Sequence, residues 1–495
     1  MTETLWSQLD AIWAEIADLE HVIEVLGWDQ QVNLPPGAAA GRGEQIATLE
    51  SLAHARLCSP ALADLLAGAE AVAEMSPERR AWLRAARRRQ ERATRLPAEL
   101  VVEMSRAASA GFSVWQEARR DDDFRRYAPA LERNLRLARQ YADALGGPSR
   151  YAALLQVHEP EMDLGRVDQV FTELRAALPP LVDRVLAGRP LSRAPFDHRV
   201  DPERQLAAGR AAITHFGYDW NRGREDLSAH PFSVSFGADD CRITTRIDPD
   251  DFASAFFATL HEAGHALYEQ GLPAAWSRTP LGQACSTAVH ESQSRLWENV
   301  VGRSLPFWEF FAPELAAAIP EPFARYGADD MFRAANVVRR SLIRVEADEL
   351  TYNLHVLLRF ELERAMVAGD LGVADLPAAW ADGMQRLVGI RPDTDREGVL
   401  QDVHWSQGGF GYFPTYTLGT VMAAQWLTVA ERVLPDLWSE VRAGDFSGLL
   451  GFLRREIHAR AATVTPDELV RAVTGGPLDC GPYLAYLREK YEALA

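Results

Sequence analysis

His261-Glu262-Ala263-Gly264-His265 decides how the chain is read. The pattern is H-E-x-x-H, and its surroundings put it on a helix. Asp248-Pro249-Asp250-Asp251 supplies an N-cap, a first-turn proline and first-turn acids, and an apolar run with Phe252, Phe256 and Phe257 leads into it. On a helix His261 and His265 stand one turn apart on one face, so both rings can grip one cation. Glu262, beside the first histidine, can take a proton from a water on that cation.

The third ligand sets the subclass. A metzincin would have Gly at 268 and His at 271, where this chain has Tyr268 and Gly271. The alternative is a carboxylate from a later helix. Ser286-Thr287-Ala288-Val289-His290-Glu291-Ser292-Gln293-Ser294-Arg295 reads as the start of one, with Glu291 as the candidate ligand. Glu291 also has a plainer reading, a surface acid paired with Arg295 at i,i+4. Two histidines and one glutamate leave a fourth position open for water, as a catalytic zinc site requires, and zinc brings the pKa of that water to about 7. Cobalt suits the same donors.

Composition bounds the rest. A chain of 495 residues, 47% hydrophobic, can bury a large core, as about three domains by length or as one large helical body. A net charge of -18 and a pI near 5.2 argue against nucleic-acid partners. No apolar run is long enough for a membrane span, and the polar start Met1-Thr2-Glu3-Thr4-Leu5-Trp6 lacks a secretory apolar core. Cys58, Cys241, Cys285 and Cys480 are far apart, which suggests reduced thiols and a cytoplasmic setting.

In chain order, residues 2–27 read as an amphipathic helix, after which Trp28-Asp29 and Leu34-Pro35-Pro36-Gly37 mark a turn. Long helices follow to about 145. The basic segment Arg79 to Arg95 reads as a solvated helix face. Gly146-Gly147-Pro148-Ser149 interrupts the pattern, and helices resume near 166–187. Arg189 to Pro195 is the best candidate boundary, dividing an N-terminal helical part (1–190) from a catalytic part (191–495). A helix covers 201–216. The convincing strands are 230–236 and 241–247 around Gly237-Ala238-Asp239-Asp240, a hairpin with Arg242, Thr244 and Arg246 on one face. Such a strand beside a metal helix is either a peptide-pairing edge or a small structural hairpin. Further on, one long helix is expected over 329–366. The Gly/aromatic loop 408–416 has the composition of an active-site loop.

Taken together, these motifs resemble the carboxypeptidase Taq family of zinc metallocarboxypeptidases. The matches are His230-Pro231-Phe232, then Asp240, Arg242 and Thr244 as D-x-R-x-T, H-E-x-G-H at 261–265, and H-E-S-Q from His290 to Gln293. I-R-x-x-A-D from Ile343 to Asp348 and G-x-x-Q-D-x-H-W from Gly398 to Trp405 complete the set. Trp28-Asp29 and the loop to Tyr416 extend it to nearly the whole chain.

The resemblance implies a mostly α-helical, groove-bearing body of the gluzincin, neurolysin-like type, with one small β-hairpin beside the zinc helix. It implies a homodimer that removes C-terminal residues from peptides with broad specificity. Zinc falls to His261, His265 and Glu291, and the base role to Glu262. Arg242 and Arg344 become candidates for the substrate's terminal carboxylate, which a guanidinium fork can bind through two hydrogen bonds. Arg344 has a plainer reading too, a pair with Asp348 along the long helix. His404 and Tyr416 become transition-state donors. The rival readings are an oligopeptidase that cuts internally and a helical binding protein with a structural metal.

Overall fold

A computed structural model describes residues 2–494. The chain forms two compact units: Met1–Thr94 with Ser192–Ala335 and Trp426–Gly475, and Arg95–Leu191 with Asn336–Gln425 and Gly476–Ala495. Each unit draws on residues from both sides of position 190. The step from Leu191 to Ser192, inside the expected boundary segment, is one of the unit limits. Helices dominate both units, as expected, and no described helix is long and apolar enough to cross a membrane.

The first unit opens with the helix Thr2–Val32, which runs through Trp28-Asp29. Trp6, Leu9, Trp13 and Ile16 lock it onto Leu62, Leu66 and Trp82. The basic helix Pro77–Arg95 does not simply face solvent. Its arginines pair with acids on other elements: Arg79 with Asp10, Arg87 with Glu70, Arg84 with Glu468 and Arg89 with Glu20. Pairs this exposed contribute less than about 1 kcal/mol each, so they neutralise the run more than they stabilise it.

The sheet has three short strands, β1 (Glu225–Leu227), β2 (Ser233–Ser235) and β3 (Cys241–Thr245), in the order β1-β3-β2. β2 and β3 are antiparallel with Ser233 opposite Ile243, which is the expected hairpin with shorter arms. β1 pairs parallel to β3 and was not expected. Its Glu225 is buried, and its carboxylate takes hydrogen bonds from Thr259 and Arg210. The expected polar face of β3 is partly closed. Thr244 is fully buried, its hydroxyl accepting from the Phe232 N–H and from Ser228.

The H-E-x-x-H segment lies in the helix Phe252–Glu269, the histidine helix. Its N-cap is Asp251, whose side chain accepts from the Ser254 N–H, so Pro249 and Asp250 precede the helix instead of opening it. Phe252, Phe256 and Phe257 form its inner face. Phe256 meets Trp308 and Phe311 with ring centroids 5.8 and 5.5 Å apart. Burying each such ring stabilises the helix by roughly 2–3 kcal/mol. The glutamate helix, Thr287–Arg295, packs against it and is capped by Ser286, which accepts from the Val289 N–H. It continues into a π-helical stretch, Leu296–Val301.

The expected helix over 329–366 does not form as one piece. Ala328–Ala335, which closes a segment of the first unit, and Tyr352–Ala368, in the second, are separate helices, and Arg344 sits on a short 3-10 turn, Arg344–Glu346. The cause is Asp348. Its carboxylate accepts from the N–H groups of Arg339, Leu350 and Thr351 and from the Thr351 hydroxyl. A side chain that captures backbone donors in this way competes with the helix. Asp348 is therefore committed to the backbone, and the expected intrahelical pair with Arg344 is replaced by another partner.

Candidate metal centre

His261, His265 and Glu291 gather in the first unit, with ligand atoms all within 4.8 Å of one another. Two features of the sequence bring them together. Helical spacing puts the histidines on one face of their helix. Gly264, between them, lets the glutamate helix approach. A Cβ there would lie 2.6 Å from Ser294 Cα and 2.8 Å from the Gln293 carbonyl oxygen, both backbone atoms.

The donors face inward. Glu291 Oε2 lies 3.4 Å from His265 Nε2 and 3.7 Å from His261 Nε2. Two donors each bound about 2.0–2.1 Å from one tetrahedral ion stand about 3.3 Å apart, so these residues fit such an ion with small adjustment. The far ring nitrogens and the other carboxylate oxygen are engaged elsewhere. Arg295 Nε donates to Glu291 Oε1 at 2.6 Å. The expected i,i+4 pair with Arg295 forms on one oxygen, but Glu291 is buried and is no surface acid. His261 Nδ1 lies 2.9 Å from Glu298 Oε2, and that carboxylate is also paired with Arg295 and Arg303. His265 Nδ1 meets His290. Ring nitrogens fixed from behind leave the front nitrogens bare for a metal.

The electrostatics match this division. Burial opposes the charged form of Glu291, yet Arg295 and the two histidines hold its carboxyl well below the usual carboxylate range. Burial and the neighbouring imidazoles push His265 down to about 3, so its ring is neutral. Glu262 is 8% exposed. Burial, opposed by His261 and reinforced by Glu291 and Glu298, pushes its carboxyl up to about 7. A carboxylate poised there can take and return a proton near neutral pH.

Arg242 lies in the same unit but is already engaged. It pairs with both oxygens of Asp240 at 2.8 and 2.7 Å, and its guanidinium lies over Trp28 at 4.3 Å and Phe236 at 4.9 Å. This gives the Trp28-Asp29 stretch a physical role: Trp28 covers that arginine.

The other three predicted residues belong to the second unit, where they form one cluster. His404 Nε2 is 3.0 Å from the Tyr416 hydroxyl, and the Arg344 guanidinium lies 5.1 Å from the Tyr416 ring. Tyr416 sits in the first turn of the helix Pro414–Val433, not in the loop itself. Arg344 is 6% exposed, donates to Asp402 at 2.9 Å and to the Tyr352 hydroxyl at 3.0 Å. Asp402 also binds Arg359 at 2.5 Å. Two guanidinium groups thus share one carboxylate, which leaves one positive charge in excess.

Sequence reasoning missed Glu269, Glu298, Arg303 and Arg359. Glu269 was findable, since it continues the 261–265 spacing by one more turn. Arg359 carried no local signal, because its partner Asp402 is far away in sequence.

The family model described as "Carboxypeptidase Taq (M32) metallopeptidase" matches residues 8–491. The chain is 42% identical to thermostable carboxypeptidase 1 of Thermus thermophilus, covering 99% of each chain. It is 36% identical to thermostable carboxypeptidase 1 of Pyrococcus furiosus, covering 97% of this chain and 96% of that one. The crystal structure of the M32 carboxypeptidase from Deinococcus radiodurans R1 superposes with a TM-score of 0.96 at 46% identity, covering 99% of both.

Proposed function

The chain belongs to the carboxypeptidase Taq (M32) family of metallopeptidases and is a peptide hydrolase of the carboxypeptidase type, and on that premise we propose that it uses zinc to release C-terminal residues with broad specificity. One observation carries the reading: His261, His265 and Glu291 converge with donor atoms facing one another, beside the buried Glu262 carboxyl. Imidazole and carboxylate donors suit zinc, and cobalt could take its place.

When bound, such an ion supplies Lewis acidity, polarising the scissile carbonyl and acidifying water. The residues of the chain do the rest. Glu262 takes the proton of the attacking water and later delivers it to the leaving amine. Its raised pKa supports both halves of that task. His404 and Tyr416 are proposed donors to the developing oxyanion. Arg344 and Arg242 are proposed to receive the substrate's free carboxylate. Support is stronger for Arg344, whose cluster holds two guanidiniums to one carboxylate, than for Arg242, which Asp240 satisfies in both positions. A homodimer and a cytoplasmic location belong to the same proposal. That no disulfide joins Cys58, Cys241, Cys285 or Cys480 supports the location.

Glu262→Gln tests the mechanism. It is expected to keep its zinc, measured by elemental analysis, while turnover falls at least about a hundredfold, the lower end of what a general base contributes. A variant that keeps wild-type turnover would remove Glu262 from the reaction.

A further inference from the structure

The two histidines of the centre are held from behind in different ways. His261 meets the Glu298 carboxylate directly. Behind His265 stands a second imidazole. His265 Nδ1 lies 2.5 Å from His290 Nδ1, and His290 Nε2 lies 2.8 Å from Glu269 Oε1. The three side chains are mostly sheltered, 15%, 24% and 15% exposed in that order.

This chain of contacts has one consistent assignment of protons. Two imidazole nitrogens can hydrogen-bond only when one carries a proton and the other a lone pair. His265 Nε2 faces Glu291, and a ligating nitrogen must be bare, so the proton of the neutral ring sits on Nδ1. His290 Nδ1 must then accept. The proton of His290 sits on its Nε2, where the Glu269 carboxylate accepts it. One carboxylate at the far end therefore selects the tautomer of both rings. The placement follows from helical spacing. Glu269 stands one turn beyond His265 on the histidine helix, and His290 precedes Glu291 on the glutamate helix. The relay bridges the two helices that supply the ligands.

We propose that His290 and Glu269 are positioning residues for the metal: the relay His265–His290–Glu269 fixes the tautomer and ring orientation of His265 and so sets part of the centre's metal affinity. The inference rests on the reading of His265 as a ligand.

The test is zinc affinity, measured on the metal-free full-length chain by competition with a chromophoric chelator. His290→Phe keeps a ring but offers no acceptor, and is expected to bind zinc 10- to 100-fold more weakly, as loss of an outer partner of a metal-bound histidine does. His290→Gln offers a carbonyl oxygen to the same N–H and is expected to recover most of that loss. Glu269→Leu leaves His290 in place without the acceptor that selects its tautomer, and is expected to weaken zinc roughly tenfold. It carries the test if His290→Phe does not fold. Zinc affinity within twofold of wild type in His290→Phe or Glu269→Leu overturns the relay. So does an equal loss in His290→Phe and His290→Gln, which would assign the effect to packing. His265→Ala separates this inference from the one beneath it. Undiminished zinc binding there overturns the ligand reading and the relay with it. Lost binding there, with none lost in the His290 and Glu269 variants, overturns the relay alone.

Discussion

Arg295 donates its Nε–H to Glu291 Oε1 at 2.6 Å, and that bond leaves Glu291 Oε2 facing both His261 and His265. The arginine also pairs with Glu298, which backs His261. One guanidinium therefore orients Glu291 and the support of His261. Without it, two buried carboxylates, Glu291 and Glu298, lose a shared counter-charge.

Arg295→Met should accordingly destabilise the metal-free protein by roughly 3 kcal/mol, the scale seen when one partner of a buried pair is removed. Saturating zinc should recover most of that loss, because the cation replaces the missing positive charge. Denaturant unfolding with and without a chelator measures both quantities. Equal stability of the metal-free variant and the metal-free wild type would contradict the assignment.

Gly264 carries a second expectation. An alanine methyl there would meet Ser294 Cα and the Gln293 carbonyl oxygen, atoms that cannot rotate away. The glutamate helix would have to retreat, carrying Glu291 with it. Gly264→Ala should cost roughly 1–3 kcal/mol of stability, as over-packing does, and should weaken zinc binding as well. A variant with unchanged zinc affinity, measured by chelator competition, would show that helix spacing does not set the ligand geometry.

His458 gives the first unit a pH dependence of known sign. It is fully buried and its Nε2–H donates to Gln293 Oε1 at 3.0 Å. Burial, with Arg454 and His290 nearby, pushes its pKa down to about 3 from 6.5. The folded ring stays neutral while the unfolded ring takes up a proton below pH 6.5. The stability this provides is complete above pH 6.5 and is lost as pH falls toward 3. From pH 8 to pH 5 the wild type should lose about 2 kcal/mol more than His458→Gln, at 1.36 kcal/mol per pH unit below 6.5. Parallel pH slopes for the two proteins in urea unfolding would contradict this.

Much of the centre was legible in the sequence because helix geometry acts over four residues. Spacing alone brings His261, Glu262 and His265 into one stretch of helix, whereas Glu291 stood out only beside that histidine pair and the family resemblance, since its i,i+4 pairing with Arg295 was an equally local reading. The misreadings came where a side chain overrode local pattern. Residues 336–351 have the composition of a helix, yet Asp348 takes four donors and breaks it, which moved Arg344 from an expected helix face to a buried turn. β1 was invisible because Glu225-Asp226-Leu227 lacks strand residues. It exists because β3 offers a partner and because Thr259 and Arg210 satisfy Glu225. Glu298 and Arg359 act through partners far away in sequence, a kind of contact that no local spacing encodes.

The most direct test of the whole account is mass spectrometry of one mixed-sequence peptide, incubated with zinc-loaded protein in two forms, with a free and with an amidated C-terminus. The free form should shorten stepwise from its C-terminus, the amidated form should be cut far more slowly, and a chelator should stop both. Internal fragments formed equally from the two forms would contradict the carboxypeptidase reading and point to an oligopeptidase.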